Sequence, residues 1–523
     1  MLNVNEIRKD FPMLNGVTMQ GKPLIYFDNG ATTLKPKCVI DAVCNYLSCY
    51  TANAHRGDYD LSHIVDEKYE ESRVIIKDFI GANKKEEIVF TSGTTDSLNM
   101  IAYGWAANYL HEGDEILITV AEHASNTLPW FDIAKKVGAT VNYIELDSNG
   151  QVTLENVKKA IKDNTKLISI AEVTNVLGFH APIKEITAYA HERNVKVVID
   201  GAQSVPHNAI NVSELDIDFL AFSGHKMCGP TGVGVLYGKY ELLEDMRPIR
   251  LGGGSNTRYN SCGVVTLKKP PYKFEAGTPN IEGVIGLGAA VKYLTTIGME
   301  NIAAYELELR NYCIKKMKEL DNLEIYNEHS SGAIAFNVKG VFSQDSASLF
   351  NTYGIAVRSG QHCAKILDEF FPKNIDKYIE TFTGGGSVLL HIIQKYNPQI
   401  VYANDIDENL INYYNSIKND AQKVVDECLE IKNKFNNETF TSEFKKLDRT
   451  KASHFFTSNK ASFSGLNKNY SSQAYDKNFT IKCIEKIKDV SNVIKDINFI
   501  NYDYKVLDDV IDKVYTRDLY RRD

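Results

Sequence analysis

The chain has 523 residues, 43% of them hydrophobic and 24% charged, with a formal net charge of -8. This composition belongs to a globular chain of about three domains and excludes a disordered or collagen-like one. The acidic balance gives a polyanion no bulk attraction, so a nucleic-acid role would need a local basic patch. No run reaches the ~18 apolar residues that span a bilayer. The opening MLNVNEIRKDFP lacks the apolar core of a signal peptide, so the chain is expected in the cytosol. Nine cysteines occur and no pair has CxxC spacing, so neither a zinc site nor a disulfide framework is expected.

Residues 1–290 alternate short apolar runs with helical patterns. EIVFTS, ILITV, KLISIAEV, VKVVID and FLAFSG read as buried strands, with amphipathic stretches such as TLENVKKAIKD between them. That alternation predicts a mostly parallel sheet with crossover helices. Residues 291–370, with NIAAYELELRNYCIKKMKEL as a helix and AIAFNV as a strand, predict a smaller second domain. From Ser387 to the end there is one Gly, one Pro and no Trp, and a third domain is placed at 371–523.

In open α/β sheets, ligands bind beyond the carboxyl ends of the strands. The first such end, after EIVFTS, carries Gly93, Thr94 and Thr95 ahead of a helix-compatible stretch, a turn that can take a phosphate on its N–H groups. ILITV leads to His123, which can stack on a flat ring. VKVVID ends in Asp200, with Gln203 three residues on; a carboxylate there can keep a pyridine nitrogen protonated. FLAFSG leads from Ser223 into His225, Lys226 and the turn Cys228-Gly-Pro-Thr-Gly-Val-Gly, where a lysine can lose its charge and form a Schiff base.

AEHASN, EVTNVLG, VVIDGAQSVPH, FSGHKMCGPTGVGVLYG and FEAGTPN resemble the class V, fold-type I enzymes that use pyridoxal 5'-phosphate, and within them the SUF-type, group II cysteine desulfurases. The resemblance covers residues 1 to about 366. It implies that Lys226 holds the cofactor, that Asp200 pairs with the pyridine nitrogen, and that Gln203 faces the phenolic oxygen while His123 stacks on the ring. It assigns Thr94, Thr95, Ser223 and His225 to the phosphate, with Thr278 offered by the second subunit of a homodimer. Asn175 falls beside the substrate, and His55 and Arg56 match a family segment near the active site. The reaction implied converts L-cysteine to L-alanine and hands sulfur to an acceptor or scaffold protein of iron–sulfur assembly, with selenocysteine lyase or another class V activity as the alternative.

VRSGQHCA places Cys363 near Arg358 and His362, and a thiolate needs such positive charge and donors. The segment matches the R-x-G-x-H-C-A loop of group II enzymes, which makes Cys363 the persulfide carrier and puts Arg358 at the substrate; Cys228, inside the tight turn after Lys226, is the competitor. After Cys363 the pattern departs from the family. The next arginine after Arg358 is Arg449, so the usual carboxylate-gripping arginine and the last strand and helix of the small domain are expected to be missing.

Further on, KYIETF reads as a strand, followed by Gly384, Gly385, Gly386 and an apolar helix, and QIVYAND as a second strand ending in Asp405. An acid ~20 residues beyond the glycines has the spacing at which a Rossmann-like unit reaches ribose hydroxyls. YIETFTGGGSV, NDIDENLINYYNSIK and SNKASFSGLNKN resemble D12-class DNA adenine methyltransferases, which implies S-adenosylmethionine at Gly384–Gly386 and Asp405. That family's P-G-G-K and D-P-P-Y segments are not found, and Pro270-Pro271-Tyr272 belongs to the desulfurase-like part. The chain thus reads as an α/β fold-type I large domain, an incomplete small α+β domain and a partial Rossmann-like methyltransferase segment; a natural fusion would keep each domain whole, so a recombined, frameshifted or misassembled reading frame fits this pattern better. The alternative function is an inactive methyltransferase fragment carrying the first part as a passenger.

Overall fold

A computed structural model describes residues 2–54, 57–147, 149–339, 341, 343–360, 362–364, 377–380, 389–390, 393, 398, 400–462 and 470–501. The chain divides into two compact units, Met1–Glu369 and Phe370–Asp523.

The first unit is built on a seven-stranded sheet. In chain order, with the short N-terminal strand β1 (Ile25–Tyr26) lying outside it, the sheet strands are β2 (Ile88–Thr91), β3 (Glu115–Thr119), β4 (Thr140–Ile144), β5 (Thr165–Ala171), β6 (Lys196–Asp200), β7 (Phe219–Ser223) and β8 (Gly234–Gly238). Their spatial order is β2-β8-β7-β6-β5-β3-β4. Only β8 runs antiparallel to its neighbours, β2 and β7. The remaining ladders are parallel, so the carboxyl ends of β2, β3, β5, β6 and β7 share one edge.

Continuous apolar runs form these strands because both sheet faces are covered. Val197, Ile199, Leu220 and Phe222 join the core on one face. Val198, Phe219 and Ala221, one residue out of step, join the core on the other. On the first face, helix α1 (Asp60–Phe79) packs against helix α2 (Ile281–Ile297). Arg73 on α1 is fully buried, and its guanidinium grips Glu275 through Nη1–Oε1 at 2.8 Å and Nη2–Oε2 at 2.9 Å. Glu275 also accepts from Phe90 N–H at 2.9 Å. This pair ties α1 and β2 to the segment that leads to Thr278.

Beyond α2 come helix α3 (Met299–Met317), the antiparallel pair β9 (Leu323–Ile325) and β10 (Phe336–Val338), helix α4 (Ser343–Thr352) and strand β11 (Ile355–Ala356). β11 pairs in parallel with β1. The chain's N-terminal segment is therefore joined to the elements that lead into the Cys363 loop.

The second unit holds a parallel three-stranded sheet of β12 (Lys377–Glu380), β13 (Ile400–Asn404) and β14 (Asn498–Ile500), with the long helix α5 (Glu408–Lys434) following β13. Its core is rich in rings: Phe440, Phe444, Tyr475 and Phe479 are buried together, and Tyr414 on α5 stacks on Phe499 of β14 at 5.0 Å. Asp407 caps α5, accepting from Asn409 N–H at 3.0 Å.

Candidate active site

The shared sheet edge gathers the residues singled out at the strand ends. Lys226 closes a short turn, Gly224–Lys226, directly after β7. The turn is tight: Gly229 N–H donates to the Gly224 carbonyl at 2.9 Å, and a Cβ on Gly229 would sit 2.9 Å from that oxygen. The N-terminal segment clamps it from outside. The His225 carbonyl accepts from Thr33 N–H at 2.9 Å, Lys35 Nζ at 3.0 Å, Thr33 Oγ1 at 3.1 Å and Thr32 Oγ1 at 3.2 Å. Burial lowers the pKa of the Lys226 ammonium, and the Asp200 carboxylate opposes that loss of charge.

Asp200 is 4% exposed and accepts from Ala202 N–H at Oδ1, 2.9 Å. Burial raises its pKa, while the charges of Lys226 and His123 act in the opposite sense. A buried carboxylate is costly unless a cation answers it. His123 accepts from Ser125 N–H at Nδ1, 3.1 Å, which leaves the proton of the neutral ring on Nε2. Burial lowers its pKa and favours that neutral form. One residue earlier, Glu122 is 2% exposed and takes hydrogen bonds from Thr119 Oγ1 (2.7 Å), Asn126 Nδ2 (2.7 Å) and Ala171 N–H (2.9 Å). Burial pushes its carboxyl up to about 8. Glu122 thereby fastens the His123 turn to the end of β5.

At the end of β2, Thr94 N–H donates to Ser223 Oγ at 2.8 Å, and the two hydroxyls lie 2.7 Å apart. Thr95 Oγ1 pairs with Ser125 Oγ at 2.7 Å. Gly93 has φ of 151°. These hydroxyls meet at the start of a helical run, a setting suited to a phosphate. Gln203 Nε2 donates to the Gly30 carbonyl at 2.8 Å.

The Cys363 loop docks on the same edge. Ala124 N–H, next to His123, donates to the Cys363 carbonyl at 2.9 Å. Asn175 Nδ2 donates to the His362 carbonyl at 2.8 Å, while its Oδ1 is buried with no hydrogen-bond partner. His362 and Cys363 have φ of 48° and 60°, the left-handed region that non-glycine residues enter only under constraint. The Cys363 thiol is exposed. Burial pushes the Cys228 thiol up to about 11, which holds it protonated. Arg358 forms a forked pair with Asp28, Nε–Oδ1 at 3.1 Å and Nη2–Oδ2 at 3.2 Å.

The structure thus gathers Thr94, Thr95, His123, Asn175, Asp200, Gln203, Ser223, His225, Lys226, Arg358 and Cys363 at one edge. Thr278 is exposed, just after Gly277, whose N–H donates to the Gly253 carbonyl at 2.8 Å. His55 and Arg56, and in the second unit Gly384, Gly385 and Gly386, lie outside the described residues. Asp405 follows β13, its Oδ1 accepting from Asp407 N–H at 2.9 Å. Asp28, Thr33, Lys35 and Glu122 join the site only through the fold. The hydroxyl- and glycine-rich DNGATT carried a signal for the first two, whereas a lone glutamate before His123 carried none. The gathered set fits pyridoxal phosphate: an amine inclined to be neutral, a buried carboxylate for a pyridinium, a ring to stack on, and a hydroxyl cluster for the phosphate.

The family described as aminotransferase class-V matches residues 25–377, and the D12 class N6 adenine-specific DNA methyltransferase family matches residues 361–516. A probable cysteine desulfurase of Halalkalibacterium halodurans is 45% identical over 369 residues, covering 70% of this chain and 90% of the relative. The cysteine desulfurase of Haloferax volcanii is 41% identical, with the same coverages. Among solved structures, the cysteine desulfurase CsdA of Escherichia coli matches with a TM-score of 0.65 and 34% identity, covering 70% of this chain and 90% of its own. The apo cysteine desulfurase of Thermococcus onnurineus also reaches 0.65, at 40% identity, covering 71% of this chain and 91% of its own.

Proposed function

The chain belongs to the cysteine desulfurases of aminotransferase class V, and on that footing we propose that it moves sulfur from L-cysteine onto Cys363, releases L-alanine, and passes the sulfur to an acceptor or scaffold protein of iron–sulfur assembly of the SUF type. The cofactor is pyridoxal phosphate, which when bound would act as an electron sink for the substrate's carbon framework and so make the Cβ–Sγ bond labile.

Lys226 holds the cofactor, and as a free amine it moves the proton at the substrate's Cα. Asp200 keeps the pyridine nitrogen protonated. His123 covers the ring and, as a neutral imidazole with its proton on Nε2, can both hold and release a proton near the leaving sulfur. Thr94, Thr95, Ser223 and His225 hold the phosphate, Gln203 faces the phenolic oxygen, and Thr278 completes the phosphate site from the partner in a homodimer. Asn175, Arg358 and His55 are the residues assigned to the substrate. The Cys363 thiolate donates an electron pair to the substrate sulfur; a C–S bond breaks as an S–S bond forms, the sulfur is oxidised, and Cβ is reduced and takes a proton. We place the boundary between large and small domains near residue 290, and the enzyme's work in the cytosol.

One observation carries this reading: the loop of an exposed thiol is fastened by Ala124 N–H and Asn175 beside the Lys226 edge. Purified protein with L-cysteine is expected to release alanine, with persulfide on the Cys363 peptide by mass mapping. Lys226→Ala is expected to lose both, together with the visible absorbance. Persulfide on Cys228 instead, or a borohydride-reducible cofactor linkage in Lys226→Ala, would refute the assignment.

The D12 match over residues 361–516 favours a second reading for the C-terminal unit. S-adenosylmethionine would bind at Gly384, Gly385, Gly386 and Asp405, and calorimetric titration tests this.

A further inference from the structure

Arg358 meets a carboxylate of its own chain, and strand register is the reason. β11 lies parallel to β1, with Ile355 opposite Ile25 and Ala356 opposite Tyr26. Phe27 N–H extends the ladder to the Ala356 carbonyl at 2.9 Å. Two residues past the last pair, Asp28 and Arg358 emerge side by side, and the guanidinium closes its fork on the carboxylate through Nε and Nη2. A planar fork on a carboxylate is also the geometry in which an arginine takes the α-carboxylate of an amino acid.

The surroundings suit an exchange. The charge of Arg358 acts on Lys226, together with that of Asp200 and the Cys363 thiol, and on His362 and Tyr26. The side chains of the pair are 55% and 23% exposed, so the contact is weakly held and a displaced Asp28 finds water. No other arginine lies between Arg310 and Arg449 in the sequence. Arg310 is committed elsewhere, donating to the carbonyls of Gly332, Glu328 and Asn327 and to Ser330 Oγ.

We propose that Asp28 is a resident stand-in for the substrate's α-carboxylate, holding the Arg358 fork while the site is free of substrate and yielding it when an α-amino acid enters. This rests on the placement of the substrate beside Lys226 and Arg358 given above. Asp28 and the incoming carboxylate compete for the same N–H groups, so the aspartate sets a threshold that an amine without a carboxylate never meets. The Asp28 carbonyl also accepts from Ala31 N–H at 3.1 Å and Thr32 N–H at 3.3 Å, opening the turn that grips the His225 carbonyl. Its backbone is thereby anchored independently of the side chain's pairing with Arg358.

The test is equilibrium titration of the cofactor-loaded enzyme, followed by its visible absorbance, with L-alanine and separately with ethylamine, which has no carboxylate. Asp28→Asn is expected to bind L-alanine about 2- to 5-fold more tightly, the scale of a half-exposed ion pair, and ethylamine as the parent does. Arg358→Lys is expected to bind L-alanine roughly 10-fold more weakly, with ethylamine unchanged. Weaker or unaltered L-alanine binding in Asp28→Asn, or an equal shift for ethylamine, would overturn the stand-in. Unchanged L-alanine binding in Arg358→Lys would remove the substrate placement on which it rests. Alanine release from L-cysteine reports separately on desulfuration, because neither titration involves sulfur.

Discussion

Replacing Glu122 with glutamine is expected to stabilise the first unit at neutral pH although it alters a residue next to the site. The buried carboxyl is raised from 4.5 to about 8. A group raised in the folded state contributes its full stability below pH 4.5, and that contribution is lost as pH rises through the folded value. At about 1.4 kcal/mol per pH unit, the loss is on the order of 3 kcal/mol at pH 7 and levels off near 5 kcal/mol above pH 8. Glutamine has no such dependence. It can still accept from Asn126 Nδ2 and Ala171 N–H, but Thr119 Oγ1 already accepts from Ala121 N–H, so one bond of about 1 kcal/mol is weakened. The net gain expected for Glu122→Gln is about 2 kcal/mol at pH 7, near zero at pH 5 and largest above pH 8. The chain's two tryptophans, Trp105 and Trp130, both lie in the first unit's core, and Trp130 Nε1 donates to Asn126 Oδ1 at 3.0 Å. Denaturation followed by tryptophan fluorescence at pH 5, 6, 7 and 8 therefore reads this unit alone. A difference between parent and variant that stays constant across that range would refute the reasoning.

Cys363→Ala is expected to abolish persulfide formation with the visible spectrum kept, whereas Cys228→Ser should retain persulfide, because burial holds the Cys228 thiol protonated; peptide mass mapping of both variants decides. Arg73→Met leaves Glu275 buried without its guanidinium and is expected to cost about 3–5 kcal/mol in the same fluorescence assay. His191 is raised above 6.5, chiefly by its hydrogen bond to Asp218, so its stabilisation is complete below pH 6.5 and fades as pH rises through the folded value. His191→Gln should therefore cost about 1–2 kcal/mol at pH 6 and distinctly less at pH 9, and equal costs at the two would contradict this.

The sequence by itself determined the sheet and the cofactor edge. Apolar runs such as VKVVID can be satisfied only when both faces are covered, and Asp200, Gln203, His225 and Lys226 lie within a few residues of strand ends that the runs already mark. Local pattern carries such features because the chemistry and the element that presents it are neighbours in the chain. Tertiary structure decided the contacts between distant segments. Asp28 meets Arg358 across 330 positions because β1 pairs with β11, and the His225 carbonyl collects donors from Thr32, Thr33 and Lys35 nearly 200 residues earlier. Asn175 reaches the Cys363 loop across 187 positions. Glu122 reads in sequence as an ordinary acid, and only the closing of β3 against β5 buries its carboxyl among Thr119, Asn126 and Ala171. Periodicity records which face of an element is apolar, whereas the partner of a polar side chain depends on register and strand order, which no local pattern encodes.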